Sequence, residues 1–192
     1  MFPVNVPNVL TVFRILLVPV LVVALLDATP SGDLLAAAVF ALASLTDLLD
    51  GYLARSRNSI TTFGKLMDPI ADKLLIVAAL VALVSLDRLA AWVAMVIIAR
   101  EFAVTAMRMA AGAQGVVIEA RLFGKAKTCL QIAMVLALIA AGDDSPLWLD
   151  LLVDATVVVT VASGVDYFLG MRRRLGERDR EREADQAAAG SA

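Results

Sequence analysis

At 192 residues, 60% of them hydrophobic and with a mean hydropathy of +0.83, the chain lies well outside the range of a soluble domain. A formal charge of −2, with its charges segregated along the chain, gives no basic field for nucleic acid, and no such partner is expected. One cysteine, Cys129, excludes an internal disulfide, and the absence of histidine removes any zinc-finger-like ligand set. In chain order, six apolar stretches are long enough to cross a bilayer at about 1.5 Å per helical residue. They lie at 9–27, 33–56, 61–86, 89–112, 118–141 and 147–171. The first lacks the basic flank and small-residue cleavage site of a signal peptide, so it is expected to be a retained span.

The connections between these stretches alternate in basic content. Those near 28–32, 85–89 and 142–146 hold Arg88 alone. Those near 55–65 and 108–127, with the tail from 172, hold Arg55, Arg57, Lys65, Arg108, Arg121, Lys125, Lys127, Arg172, Arg173, Arg174, Arg178, Arg180 and Arg182. The positive-inside rule then puts both termini in the cytoplasm, which requires an even number of spans. The expected fold is an all-α integral membrane protein, a bundle of six transmembrane helices over residues 1–175 in the cell membrane. The charged, low-complexity segment 176–192 reads as a disordered cytoplasmic tail.

Against this background the second and third stretches carry an acidic pattern. Asp47, Asp50, Gly51, Ala54, Arg55, Gly64, Asp68 and Asp72 stand as D-x2-D-G-x2-A-R-x8-G-x3-D-x3-D. Ionisable side chains at membrane depth are rare and mark function. Asp47 and Asp50 are i,i+3 and Asp68 and Asp72 are i,i+4, so each pair occupies one helix face. Counting inward from Arg55 and Lys65, Asp50 and Asp68 form a shallow level about 5–8 Å deep, with Asp47 and Asp72 about 10–12 Å deep. Four carboxylates so close repel one another unless cations neutralise them. Two divalent ions complete that balance and suit phosphoryl chemistry. Without histidine the ions are hard and oxygen-bound, Mg2+ or Mn2+.

The small residues fit the same picture. Gly51 and Gly64 cost helix propensity, which is consistent with close approach of backbone or ligand. Ala54 keeps the rim uncluttered, and Arg55 offers a planar fork to a phosphate. Taken alone, Gly51, Ala54 and Gly64 would read as small residues at a helix contact. Only the surrounding carboxylates tip them towards a ligand. Lys73 is open between pairing with Asp72 or Asp68 and touching substrate.

The eight-residue pattern resembles the motif of the CDP-alcohol phosphatidyltransferases, with every defining position present, and the resemblance covers nearly the whole chain up to the tail. It implies a homodimeric, six-helix membrane enzyme that displaces CMP from a CDP-linked lipid with an alcohol. It further implies that Asp47, Asp50 and Asp68 ligate the metals and that Asp72 is the general base, with a possible second role as ligand. Asp47, Gly51, Ala54, Arg55 and Gly64 would line the cytidine-diphosphate pocket at the cytoplasmic face.

Stretches outside the motif resemble the branch of that family whose lipid donor is CDP-diacylglycerol and whose acceptor is sn-glycerol 3-phosphate. These are P-N-x-L-T-x-x-R (Pro7, Asn8, Leu10, Thr11, Arg14), A-R-E-F-x-V-T-x-x-R (Arg100, Glu101, Arg108) and G-K-x-K-T-x-x-Q (Gly124, Lys125, Lys127, Thr128, Gln131). An anionic acceptor accounts for cations crowding the mouth, and Arg100, Arg108, Lys125 and Lys127 are the candidates for its phosphate, with Arg121 weaker. The rival for Arg100 is a structural ion pair with Glu101; for Arg108, Lys125 and Lys127 it is anchoring at the membrane surface. Asn8, Thr11 and Arg14 are open between capping the first span and contacting the nucleotide. Branches using phosphatidylglycerol (cardiolipin synthases) or an inositol phosphate as acceptor share the metal site. From another class, a divalent-cation transporter would place its carboxylates near midplane.

Overall fold

A computed structural model describes residues 6–57, 62–113, 122–144 and 146–189; of these, the side chains of 6–11, 47–57, 62–72, 113, 122–125 and most positions beyond 174 lie outside the description. The described residues form six α-helices and no strand: α1 Val6–Leu26, α2 Pro30–Arg57, α3 Thr62–Ser85, α4 Ala91–Ala113, α5 Leu122–Ala141 and α6 Leu147–Ala189. Each of the six apolar stretches corresponds to one helix. α6 runs on as helix through the charged segment as far as Ala189. That segment contains no proline and is rich in Glu, Arg and Ala, all good helix formers.

The turns at one end are built from local hydrogen bonds. Thr29 caps α2: its Oγ1 accepts from the Gly32 amide at 3.0 Å, and Pro30 occupies the first helical position, where its missing N–H costs nothing. Gly32 is forced by proximity, since a Cβ there would lie 2.5 Å from the Ala24 carbonyl oxygen of α1. α3 ends in a Schellman turn. The Arg88 amide donates to Leu83 O at 3.0 Å and the Asp87 amide to Val84 O at 3.1 Å, with Asp87 in the left-handed region at φ 57°.

α1 packs chiefly on α2 and α3, and α6 chiefly on α4 and α5; contacts of α2 with α5 and of α3 with α4 and α5 join the two groups. Leu21, Leu25, Phe40, Leu80, Leu83, Ile97, Met134 and Ile139 are fully buried at the junction. Ala36, Ala43 and Ala79 are equally buried and let the helix backbones come close. The outward faces are apolar as well, with Leu16, Val23, Leu34, Met95, Leu151 and Val158 all exposed. Leu147–Arg174 is the one stretch among the described residues both long and apolar enough to cross a membrane; Val12–Leu26, Pro30–Thr46, Lys73–Ser85 and Ala126–Ala141 are shorter apolar segments.

The end bearing the α1–α2, α3–α4 and α5–α6 turns is tied by one guanidinium. Arg88 donates to Asp33 at 2.7 Å and to Asp143 at 3.1 Å. Asp33 starts α2 and Asp143 sits in the α5–α6 turn, so the single basic residue of this end holds all three connections together. The hydrogen bond that Arg88 donates to Asp33 raises the Arg88 pKa above its already high ordinary value, against a smaller opposing effect of burial.

Candidate active site between the acidic helices and a cation node

The acidic motif is divided between two helices. Asp47, Asp50, Gly51, Ala54 and Arg55 fall in α2 and Gly64, Asp68 and Asp72 in α3, and the two helices touch. Their side chains lie outside the described residues, as do those of Asn8 and Thr11 in α1 and Lys125 in α5; Arg121 lies outside altogether. Among the described residues no group of three or more His, Cys, Asp or Glu side chains could hold an ion. The motif's own donor set nevertheless fits a hard divalent cation, being carboxylate oxygen throughout, two per helix at one-turn spacing.

Beside this motif the structure brings together a polar cluster from α4, α5 and α6. Glu101 Oε1 accepts hydrogen bonds from both Lys127 Nζ and Arg100 Nη1, the latter at 3.3 Å. The three side chains are 11%, 8% and 14% exposed respectively, so the node is largely removed from water. Arg100 also donates from Nη2 to Ser163 Oγ at 3.0 Å, and Ser163 in turn donates to the Thr160 carbonyl at 2.8 Å. Gln131 Nε2 reaches Thr160 Oγ1 at 3.5 Å. Arg100 Nε is buried with no hydrogen-bond partner among the described residues. Gly164 makes room for this arginine, because a Cβ there would lie 3.2 Å from Arg100 Cγ.

Lys73, which follows Asp72 in α3, is close enough for its charge to act on both Glu101 and Lys127. The node therefore adjoins the motif's helix. Among the described residues, Lys73, Arg100 and Lys127 gather there around one carboxylate, Glu101. Arg108 stands apart. Its guanidinium lies 5.7 Å from the centroid of the Tyr167 ring, a cation–π contact, and the buried Tyr167 hydroxyl has no hydrogen-bond partner among the described residues.

Of the cations predicted from sequence, Arg100 and Lys127 are thus brought together, and Arg108 lies on Tyr167 instead. The Arg100–Glu101 ion pair weighed as an alternative is present, but it also includes Lys127. Sequence reasoning missed Thr160, Ser163, Gly164 and Tyr167. Their signal is a polar or small stripe at Thr156, Thr160, Ser163, Gly164 and Tyr167, spaced three or four apart along one face of the last span.

The profile of the CDP-alcohol phosphatidyltransferase family matches residues 4–166, most of the chain and every position of the acidic motif. The chain belongs to that family. CDP-alcohol phosphatidyltransferases are membrane-associated enzymes of lipid synthesis that generally use divalent cations. The chain is 41% identical over 180 residues to the CDP-diacylglycerol–glycerol-3-phosphate 3-phosphatidyltransferase of Bacillus subtilis, covering 85% of this chain and 93% of that one. It is 33% identical over 174 residues to the protein of the same name from Rickettsia bellii, covering 88% and 96%. It is 40% identical over 177 residues to a Mycobacterium tuberculosis protein named "Probable phosphatidylglycerophosphate synthase", covering 90% and 84%.

Proposed function

We propose that this phosphatidyltransferase moves the phosphatidyl group of CDP-diacylglycerol onto sn-glycerol 3-phosphate, giving phosphatidylglycerophosphate and CMP. The names of its relatives support the donor and the acceptor. The observation that carries the acceptor in this chain is the cation node, in which Arg100, Lys127 and Lys73 gather around Glu101 beside the α3 helix that holds Asp68 and Asp72. A phosphate-bearing alcohol offers these cations an anion and brings its hydroxyl next to the motif.

In this reading Asp47, Asp50 and Asp68 hold two divalent cations, with Asp72 at their side. The chemistry such ions supply when bound is neutralisation of the diphosphate charge, which grows on departing CMP. Asp72 takes the proton from the acceptor hydroxyl, whose oxygen attacks the lipid-side phosphorus as the bond to CMP breaks. Gly51, Ala54 and Gly64 leave space for the cytidine diphosphate, Arg55 clasps its phosphate, and Asn8 and Thr11 border the nucleotide. Arg100 and Lys127 bind the acceptor phosphate; Arg108, Lys125 and Arg121 strengthen the positive field around it.

We read α1–α6 as six spans with both termini in the cytoplasm. The first five helices have 20 to 28 residues and so are about 30–42 Å long, enough for a hydrocarbon core of about 30 Å. Trp92 and Trp148, both exposed and both at the starts of helices, mark the outer interface at the Arg88 end. The acidic motif and the cation node then lie towards the cytoplasmic side. A homodimer, embedded among membrane lipids, completes the proposal, with residues 176–192 as a cytoplasmic tail.

The test is an acceptor assay on purified protein in detergent or vesicles, with CDP-diacylglycerol and Mg2+ or Mn2+. Labelled glycerol 3-phosphate should enter lipid with stoichiometric CMP. Incorporation of phosphatidylglycerol or an inositol phosphate in its place would overturn the acceptor assignment.

A further inference from the structure

The node has an asymmetry that the chemistry of the reaction does not require. A site built only to attract a phosphate would hold cations and no carboxylate, yet Glu101 sits among them, 11% exposed. Its Oε1 alone receives both Lys127 Nζ and Arg100 Nη1. Three elements meet at that one atom: α4 through Glu101 and Arg100, α5 through Lys127, and α6 through the Arg100–Ser163 bond.

We propose that Glu101 is a positioning residue, whose single oxygen fixes the ends of Lys127 and Arg100 side by side so that their remaining N–H groups converge on the phosphate of the acceptor. This rests on the acceptor reading above. A lysine ammonium on a four-carbon stem is mobile, and it surrenders that freedom whenever it grips a ligand. A carboxylate that already holds it moves this ordering into the folded protein, so less is lost when the acceptor arrives. One ammonium hydrogen is committed to Glu101 and two remain; Arg100 keeps its buried Nε, which has no hydrogen-bond partner among the described residues. Gly164 and Ser163 fix the arginine from the α6 side, the first by leaving room for its stem and the second by accepting from Nη2.

Charge and position predict opposite signs. By Coulomb attraction alone, neutralising Glu101 strengthens the pull of the node on a dianion. By positioning, it frees Lys127 and Arg100 and weakens binding. The experiment compares wild type, Glu101→Gln, Lys127→Ala and the double variant as full-length protein in vesicles, with the KM of each substrate, kcat and thermal unfolding measured. Glu101→Gln should raise the KM for glycerol 3-phosphate about tenfold, the size expected for one charged hydrogen-bond network, with the KM for CDP-diacylglycerol within about twofold. Because part of the effect of Glu101 runs through Lys127 and the rest through Arg100, the double variant should exceed Lys127→Ala by less than the factor seen for Glu101→Gln alone.

If Lys127→Ala leaves the glycerol 3-phosphate KM unchanged, the acceptor reading itself fails. If Lys127→Ala raises that KM but Glu101→Gln lowers it or leaves it unchanged, the acceptor site stands and the role of Glu101 falls. Equal rises for both substrates with a lowered melting temperature make Glu101 merely structural, which also overturns the proposal. Should Glu101→Gln fail to accumulate, Glu101→Asp keeps the charge and withdraws the oxygen by one methylene. Positioning predicts a selective rise in the acceptor KM there; a charge-balancing role predicts no change.

Discussion

The outer clasp offers a sharp energetic test, because its two arms differ in burial while sharing one cation. Arg88 is 6% exposed, Asp33 16% and Asp143 92%. Removing the carboxylate charge at Asp33 leaves a buried guanidinium without its 2.7 Å partner, a loss of about 1.5–3 kcal/mol for a charged hydrogen bond. Asp143 stands in water, where an ion pair contributes about 0–1 kcal/mol. For a chain of this size each kcal/mol moves the melting temperature by about 2–4 °C, so Asp33→Asn should lower it by about 3–12 °C. Asp143→Asn should lower it by less than about 4 °C. Arg88→Met should match Asp33→Asn, and the double variant should add little.

Thermal unfolding in one detergent, with the same lipid present throughout, makes the comparison. Since the raised Arg88 pKa keeps the folded group charged, its contribution is complete below the unfolded pKa and is lost only in strong alkali. The difference between variants should therefore be flat from neutral to mildly alkaline pH. Equal losses for Asp33→Asn and Asp143→Asn, or no loss for Arg88→Met, would refute the assignment of the clasp energy to the buried arm.

Three further predictions concern the site. Asp50→Asn or Asp68→Asn should reduce turnover by at least about a thousandfold while the helical circular dichroism is unchanged; near-normal rates would contradict their place as metal ligands. Chelation of divalent ions should abolish CMP release, and adding back Mg2+ or Mn2+ should restore it. Gly164→Ala gains about 1 kcal/mol of helix propensity, yet its Cβ, 3.2 Å from Arg100 Cγ, displaces that side chain. It should leave the melting temperature equal or higher while raising the glycerol 3-phosphate KM severalfold; an unchanged KM would detach Arg100 from acceptor binding.

Much of the architecture could be read from the chain because apolar runs and turn residues are local signals. The sequence from Asp27 to Gly32 carries a Thr cap, a proline at the first helical position and a glycine at the crossing, and α2 begins there at Pro30. The expected start at residue 33 came from apolar content alone, which ignores the polar first turn. The acidic motif was visible because its residues are close in sequence. Arg100 and Lys127 were legible as cations for one phosphate, but their meeting at Glu101 and the part of Ser163 were not, because Lys127 lies 26 residues from Glu101 and Ser163 lies 63 from Arg100. Nothing in the period of an isolated helix says which neighbour it faces. Arg108 illustrates the same limit: its charge was plain, but its place on the Tyr167 ring depends on how α4 and α6 cross.

The uneven greasiness of the helices has a consequence for biosynthesis. α6 carries the Leu147–Arg174 stretch, and two of its hydroxyls are answered within the helix, Thr156 by the Leu152 carbonyl at 2.7 Å and Ser163 by that of Thr160 at 2.8 Å. Such a segment can leave the translocon for lipid on its own. By sequence, the halves of α2 and α3 at 47–57 (DLLDGYLARSR) and 62–72 (TFGKLMDPIAD) hold the carboxylates and most of the charge of these helices. The two segments that carry the acidic motif are therefore the least able to partition unaided. In the proposed six-span arrangement they depend for entry on α1, which packs against both.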